Sequence, residues 1–126
     1  MVLRWFEKHN KISWVVTLIG AIAIFYISTI TFGPGISRIN MLSTLYHFSA
    51  FFCFALFLQI SSLKGKKKYA IFILALIISI IYGITDELHQ YFIPGRDSSF
   101  FDIGVDALGA LSSSLIYLLS VGFRNK

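Results

Sequence analysis

Four apolar runs, each close to the length of a bilayer crossing, constrain this chain more than any other feature. They are Ser13 to Phe32, Leu42 to Leu63, Tyr69 to Thr85, and a last run from about Ser99 to Phe123. A helix needs about 20 apolar residues to cross the hydrocarbon core, and a chain in that core must satisfy its backbone internally. Composition agrees: of 126 residues 56% are hydrophobic and only 13% charged, where a soluble domain carries about a quarter charged. The expected fold is all-α, an integral membrane bundle of four transmembrane helices forming a single domain over 1–126.

The breaks between the runs set the element boundaries. Met1 to Lys11 carries Arg4, Lys8 and Lys11 against Glu7 and reads as a basic flank. A basic start before an apolar run also describes a signal peptide, whose apolar region spans roughly 7 to 15 residues before an A-x-A-like site. This run is longer and is followed by Gly33-Pro34-Gly35, so it is expected to remain as the first helix. Gly33 to Met41 reads as a turn. The third run is short for a crossing, and its helix should continue through Asp86 to Phe92 until Pro94 disfavours it. Ser99 and Asp102 stand at capping-box spacing before the fourth helix. The single cysteine, Cys53, has no intrachain partner and is expected to be a packing residue.

Charge gives the orientation. The cluster Lys64-Gly65-Lys66-Lys67-Lys68 could serve nucleic acid or anionic lipid, but between two spans it is expected to be a topology signal, and no nucleic-acid partner is expected. Nine lysines and arginines lie in the N-terminus, the second loop and the C-terminus. The first loop has only Arg38 and the third only Arg96. By the positive-inside rule both termini are expected to be cytoplasmic, and the third loop to face outward.

Beside that loop the polar chemistry is concentrated. Five of the six acidic residues, Asp86, Glu87, Asp97, Asp102 and Asp106, lie between 86 and 106 with His89, Gln90 and Arg96. At helical spacing Asp86 shares a face with His89 and Gln90, and Glu87 with Gln90 and Tyr91. Asp102, Asp106, Gly109 and Ser113 form one stripe, whose small residues permit close helix approach. A carboxylate in hydrocarbon needs a partner or water, and His47, about a turn from the outer end of its own helix, is expected at similar depth. His47 is either a site residue or a satisfied polar contact. Asp102 is either a site residue or a capping acid favoured by the helix dipole. Asp106 lies beyond the first turn, where the dipole has faded. Arg96 either latches to Asp97 or Asp102 or presents its planar fork to a carboxylate or phosphate. The candidate ligand-binding set is His47, Asp86, Glu87, His89, Gln90, Arg96, Asp102 and Asp106.

The run Asp86-Glu87-x-x-Gln90-x-Phe92-x-Pro94-Gly95-Arg96, followed by Asp102 and Gly109, resembles the signature of the VanZ-like family of small membrane proteins. His47 with Phe48 also resembles that family's second-helix histidine. The sequence departs from the pattern at Ser43 and Thr44, where many members have an acid and a lysine, and at Asp106, a position often asparagine. The resemblance implies a multi-pass protein of the bacterial cell (plasma) membrane that lowers sensitivity to lipoglycopeptide antibiotics such as teicoplanin. It implies no particular reaction.

Two functions of different class remain open. One is a non-enzymatic envelope factor whose outer polar cluster binds a lipid head group, a lipid-linked cell-wall precursor or a partner protein. The other is a small intramembrane enzyme in which Glu87, Asp102 or His47, with Asp106 or His89, supplies acid-base groups or metal ligands. No H-E-x-x-H, G-x-S-x-G, P-loop or cysteine cluster is present, so no cofactor is assigned. Carboxylates and histidines suit magnesium, manganese or zinc in principle, but their spacing matches no standard metal motif. A transporter or channel ranks below both, since four short helices leave little room for a pathway unless copies of the chain form a homo-oligomer.

Overall fold

The structure, a computed structural model, describes residues 1–31 and 41–124. Five helices follow in order: α1 (Val2–Lys8), α2 (Asn10–Ser28), α3 (Met41–Leu63), α4 (Tyr69–Tyr91) and α5 (Phe100–Arg124). Four of them, α2 to α5, are long and apolar enough to cross a membrane. The expected all-α bundle of four candidate spans is what the chain forms, and no strand occurs among the described residues. The turn expected over 33 to 41, with Pro34 and Arg38, lies outside the described residues except for Met41, which already belongs to α3.

The basic flank contains an unexpected element. Val2 to Lys8 is helical, and Glu7 ties it to the far end of the chain. Arg124 Nη1 donates to Glu7 Oε2 at 3.0 Å and Arg124 Nη2 to Oε1 at 2.6 Å, a two-pronged geometry that only arginine offers. The Tyr117 hydroxyl donates to the same Oε1 at 2.9 Å and accepts from the Gly65 N–H at 3.0 Å. Below this knot Phe6 meets Phe57 edge-on. The sixth acid, isolated in sequence, is therefore the tie between α1, α5 and the α3–α4 turn. That turn needs its glycine twice over. Gly65 has φ +72°, and a β-carbon there would sit 2.9 Å from Glu7 Oε2, so both backbone conformation and space exclude a side chain.

Helix α2 stops at Ser28, short of the expected Phe32. Ser28 Oγ donates to the Phe25 carbonyl at 2.7 Å and Thr29 Oγ1 to the Tyr26 carbonyl, so two hydroxyls hold carbonyls of the last turn and the chain leaves the helix.

The bundle is apolar outside and partly polar inside. Leu18, Ile22, Ile73, Leu108 and Leu119 are each more than half exposed, whereas Thr17, Gln59, Ser61, Ser79, Ser113 and Ser114 are buried. Outward-facing leucine and isoleucine on α2, α4 and α5 suits lipid and not water. Inside, Thr17 and Ser61 hydroxyls meet at 3.1 Å across α2 and α3. Gln59 donates to the Phe72 carbonyl and to Ser114 Oγ, both at 3.1 Å, linking α3 to α4 and α5. Two apolar clusters fill the rest, one around Phe51, Phe54 and Ile24, the other around Ile60, Phe72 and Tyr117. Cys53, expected to be a packing residue, is exposed and projects from α3 along an apolar groove shared with α2.

The tightest pairing is between α3 and α5, and Gly109 sets it. A β-carbon at Gly109 would lie 2.5 Å from the Phe48 carbonyl oxygen and 3.1 Å from the Phe52 nitrogen. No side chain fits at that crossing. The close approach brings the start of α5 against the start of α3, and so decides where Asp106 meets His47.

Candidate functional site

At one end of the bundle three ionisable side chains from three helices converge. His47 lies six residues into α3, Asp106 six residues into α5, and Glu87 four residues before the end of α4. At 1.5 Å per residue they are about 9, 9 and 6 Å inside their helix ends. Their relative exposures are 2%, 1% and 3%. His47 Nδ1 donates to Asp106 Oδ1 at 3.0 Å and stands 3.7 Å from Glu87 Oε1. Ionisable groups so enclosed carry a desolvation cost of several kcal/mol each unless paired. The imidazole supplies that pairing for two carboxylates at once.

Two further contacts fix the floor of the site. Gly83, one turn before Glu87 on α4, faces Asp106: a β-carbon there would lie 3.1 Å from Asp106 Cβ and 3.3 Å from its Oδ2. The missing side chain makes room for the carboxyl. The ring of Tyr46 meets His47 edge-on, with centroids 5.6 Å apart. Neither Glu87 Oε1 nor Asp106 Oδ2 accepts a hydrogen bond from any described residue, although both are buried.

Asp102, two residues into α5, lies nearer its helix end. Ser99 and Asp102 form only half of the expected capping box. The Asp102 N–H donates to Ser99 Oγ at 3.0 Å, and Ser99 Oγ donates to Asp102 Oδ2 at 2.7 Å. The Ser99 N–H, which a full box would give to the acid three residues on, goes to Glu87 Oε2 at 3.0 Å. The cap of α5 therefore holds the glutamate of α4. Asp102 is 8% exposed and acts as the capping acid in this arrangement.

A second strand of contacts runs from Asp86 outward. Gln90 Nε2 donates to Asp86 Oδ2 at 2.9 Å, Arg96 Nη2 donates to Gln90 Oε1 at 2.9 Å, and Arg96 Nη1 reaches the Ile30 carbonyl at 3.3 Å. Arg96 thus joins the α4–α5 connection to the end of α2. His89 is separate from both groups: its ring stacks on Phe25 of α2 with centroids 4.5 Å apart, and it hydrogen-bonds to none of the other candidate residues. Glu87 and His89 are two residues apart, about 200° around a helix, so one faces α3 and α5 while the other faces α2.

Of the eight candidate residues, the structure brings His47, Glu87 and Asp106 into one cluster, joins Asp102 to it through the Ser99 cap, and sets Asp86, Gln90 and Arg96 in an adjoining chain. Gly83, Tyr46, and the Ser99 N–H were not picked out by sequence reasoning. The helical offset of four between Gly83 and Glu87 was a readable signal. The Ser99 bond was not, because it depends on how the α4–α5 connection folds back.

Fold and site together define a multi-pass helical membrane protein with a buried His–carboxylate cluster near one end of the bundle. The VanZ/LLP1 family model matches residues 2–121, and the chain belongs to that family. No curated protein and no solved structure matches it significantly.

Proposed function

We propose that this chain is an envelope protein of the bacterial cell membrane, with both termini cytoplasmic, whose outward-facing polar site binds the phosphate-bearing head group of a lipid or lipid-linked cell-wall precursor. Through that binding it lowers sensitivity to lipoglycopeptide antibiotics such as teicoplanin. The observation that carries the reading is the convergence of His47, Glu87 and Asp106 from three helices, since groups this costly to bury in a membrane protein are usually functional. At the same end of the bundle Arg96, whose Nη2 and Nη1 hold Gln90 and the Ile30 carbonyl, carries a planar fork of a kind suited to a phosphate. The drug phenotype rests on the family resemblance alone.

A second reading has its own support. One imidazole nitrogen with carboxylate oxygens at 3.0 and 3.7 Å is an acid-base arrangement of the kind an intramembrane enzyme uses on a lipid-linked substrate. It differs from the first in requiring turnover, visible as a changed lipid profile in membranes that carry the parent chain.

The test is drug susceptibility in a sensitive host expressing the parent or single variants, with membrane abundance and detergent melting temperature measured alongside. Glu87→Gln and Arg96→Lys should stay folded and lose protection, because one removes a carboxylate and the other keeps charge without the fork. If both protect as well as the parent, the site assignment is wrong.

A further inference from the structure

We infer that His47, Glu87 and Asp106 form a binding site for one first-row divalent cation, zinc or manganese. The inference goes beyond head-group binding and stands whether or not that reading does.

Three observations carry it. The first is spacing: one nitrogen and two carboxylate oxygens, one from each residue, all lie within 4.8 Å of one another. Ligands about 2.0 to 2.2 Å from a metal, spread at tetrahedral to octahedral angles, stand about 2.8 to 3.6 Å apart. The 3.0 Å and 3.7 Å from His47 Nδ1 are within about 0.1 Å of that range, and the two carboxylates, within 4.8 Å of each other, would draw together around the ion.

The second is a pair of buried oxygens that accept no hydrogen bond. Glu87 Oε1 points toward the imidazole without reaching hydrogen-bond distance, and Asp106 Oδ2 points toward the space that Gly83 leaves open; both are buried and accept no bond from a described residue. Buried carboxylate oxygens without donors are rare, and a cation held by His47 Nδ1 would give Glu87 Oε1 its missing partner while binding Asp106 through the carboxyl that now accepts from His47.

The third is support behind the ligands. Glu87 Oε2 is held by the Ser99 N–H at 3.0 Å, which leaves Oε1 as the inward oxygen. Such outer contacts commonly orient the ligands of a metal site.

The ligand set selects the ion class. An imidazole disfavours calcium and magnesium, which take oxygen shells, and suits zinc, manganese or another first-row ion when combined with carboxylates. Two carboxylates and one neutral imidazole balance a divalent charge. Binding replaces the proton shared by His47 Nδ1 and Asp106 Oδ1, and that proton leaves to solvent. Three protein ligands leave a coordination position open, where an oxygen of a phosphate group could bind despite the surrounding acids.

The test uses the full chain purified in detergent without added lipid, dialysed against zinc or manganese chloride and then freed of loose ion. Metal content should be one ion per chain. Glu87→Gln and His47→Ala should weaken binding at least tenfold, while Lys67→Ala, exposed at the opposite end of the bundle, should leave it unchanged. Variants that fail to fold are replaced by a readout on the parent: cobalt loading should give the visible absorption of a four- or five-coordinate ion with nitrogen and oxygen ligands, and zinc should displace it. Less than half an ion per chain overturns the site. So does binding that survives in Glu87→Gln and His47→Ala, or a parent cobalt spectrum that matches the ion in buffer. A chain that binds the ion but gives no drug protection would leave this site standing and remove the head-group reading.

Discussion

Asp106 and Gly83 show what can and cannot be read at the scale of single residues. The sequence marks Asp106 as an acid within an apolar run and beyond the reach of the helix dipole, so its need for a partner is legible. That its partner is His47, and that Gly83 of α4 gives the carboxyl its room, depends on the register of three helices and is not. Gly83→Ala should push against Asp106 and Phe51, whose nearest atoms would be 3.1 and 3.3 Å from the new carbon. We expect a loss of about 1–2 kcal/mol, the overpacking cost partly offset by alanine's helix propensity, together with weaker cation binding. Melting temperature and metal titration on the same sample would check both. Asp106→Asn separates the two effects in the opposite way. Its amide oxygen can still accept from His47 and a neutral group is less costly to bury, so stability should change by less than about 1 kcal/mol while cation binding falls. A large drop in melting temperature would show that the charge holds the bundle together.

At the scale of elements, the four spans were legible because length and apolarity are enough to specify a crossing. The extension of α4 through the acids followed from Pro94, and the helix ends at Tyr91. What escaped was α1. Its seven residues mix aliphatic, aromatic and charged side chains without a clear period, and its stability comes from Glu7 reaching Arg124 and Tyr117, more than a hundred positions away in the chain. Tertiary contact decides such a short helix, because an isolated seven-residue helix is not stable in water. Glu7→Ala should therefore release α1 and leave the spans intact. The cost should be about 1–2 kcal/mol, the upper value reflecting a two-pronged bond that is only partly exposed. Hydrogen exchange should accelerate across residues 2–8 and not across 41–63; equal acceleration in both would mean that the knot holds the whole bundle. The same dependence on return contacts explains why the α5 cap was only half predicted. Spacing supplied Ser99 and Asp102, but Glu87 takes the N–H that local sequence rules assign to Asp102.

For the whole molecule, the open question of greatest consequence is which face of the membrane the site addresses. The bundle places His47, Glu87 and Asp106 at the end that carries the α4–α5 connection, opposite the end where Glu7, Gly65 and Arg124 meet. The lysine cluster at 64 to 68 sits at the latter end, and positive charge is retained on the cytoplasmic side. The two ends should thus differ in access to a reagent that cannot cross the membrane. Gly65 is a poor place for a probe, since its φ of +72° and the nearby Glu7 leave no space for a side chain. Lys67 is exposed and Ser98 half-buried, so single cysteines there, in a Cys53→Ser background, disturb little. In intact cells the cysteine at position 98 should react with an impermeant maleimide and the one at 67 should not, until the membrane is opened with detergent. The reverse pattern would put the site on the cytoplasmic face, where neither an outer-leaflet precursor nor a lipoglycopeptide outside the cell could meet it, and would remove the proposed drug protection while leaving the cation site standing.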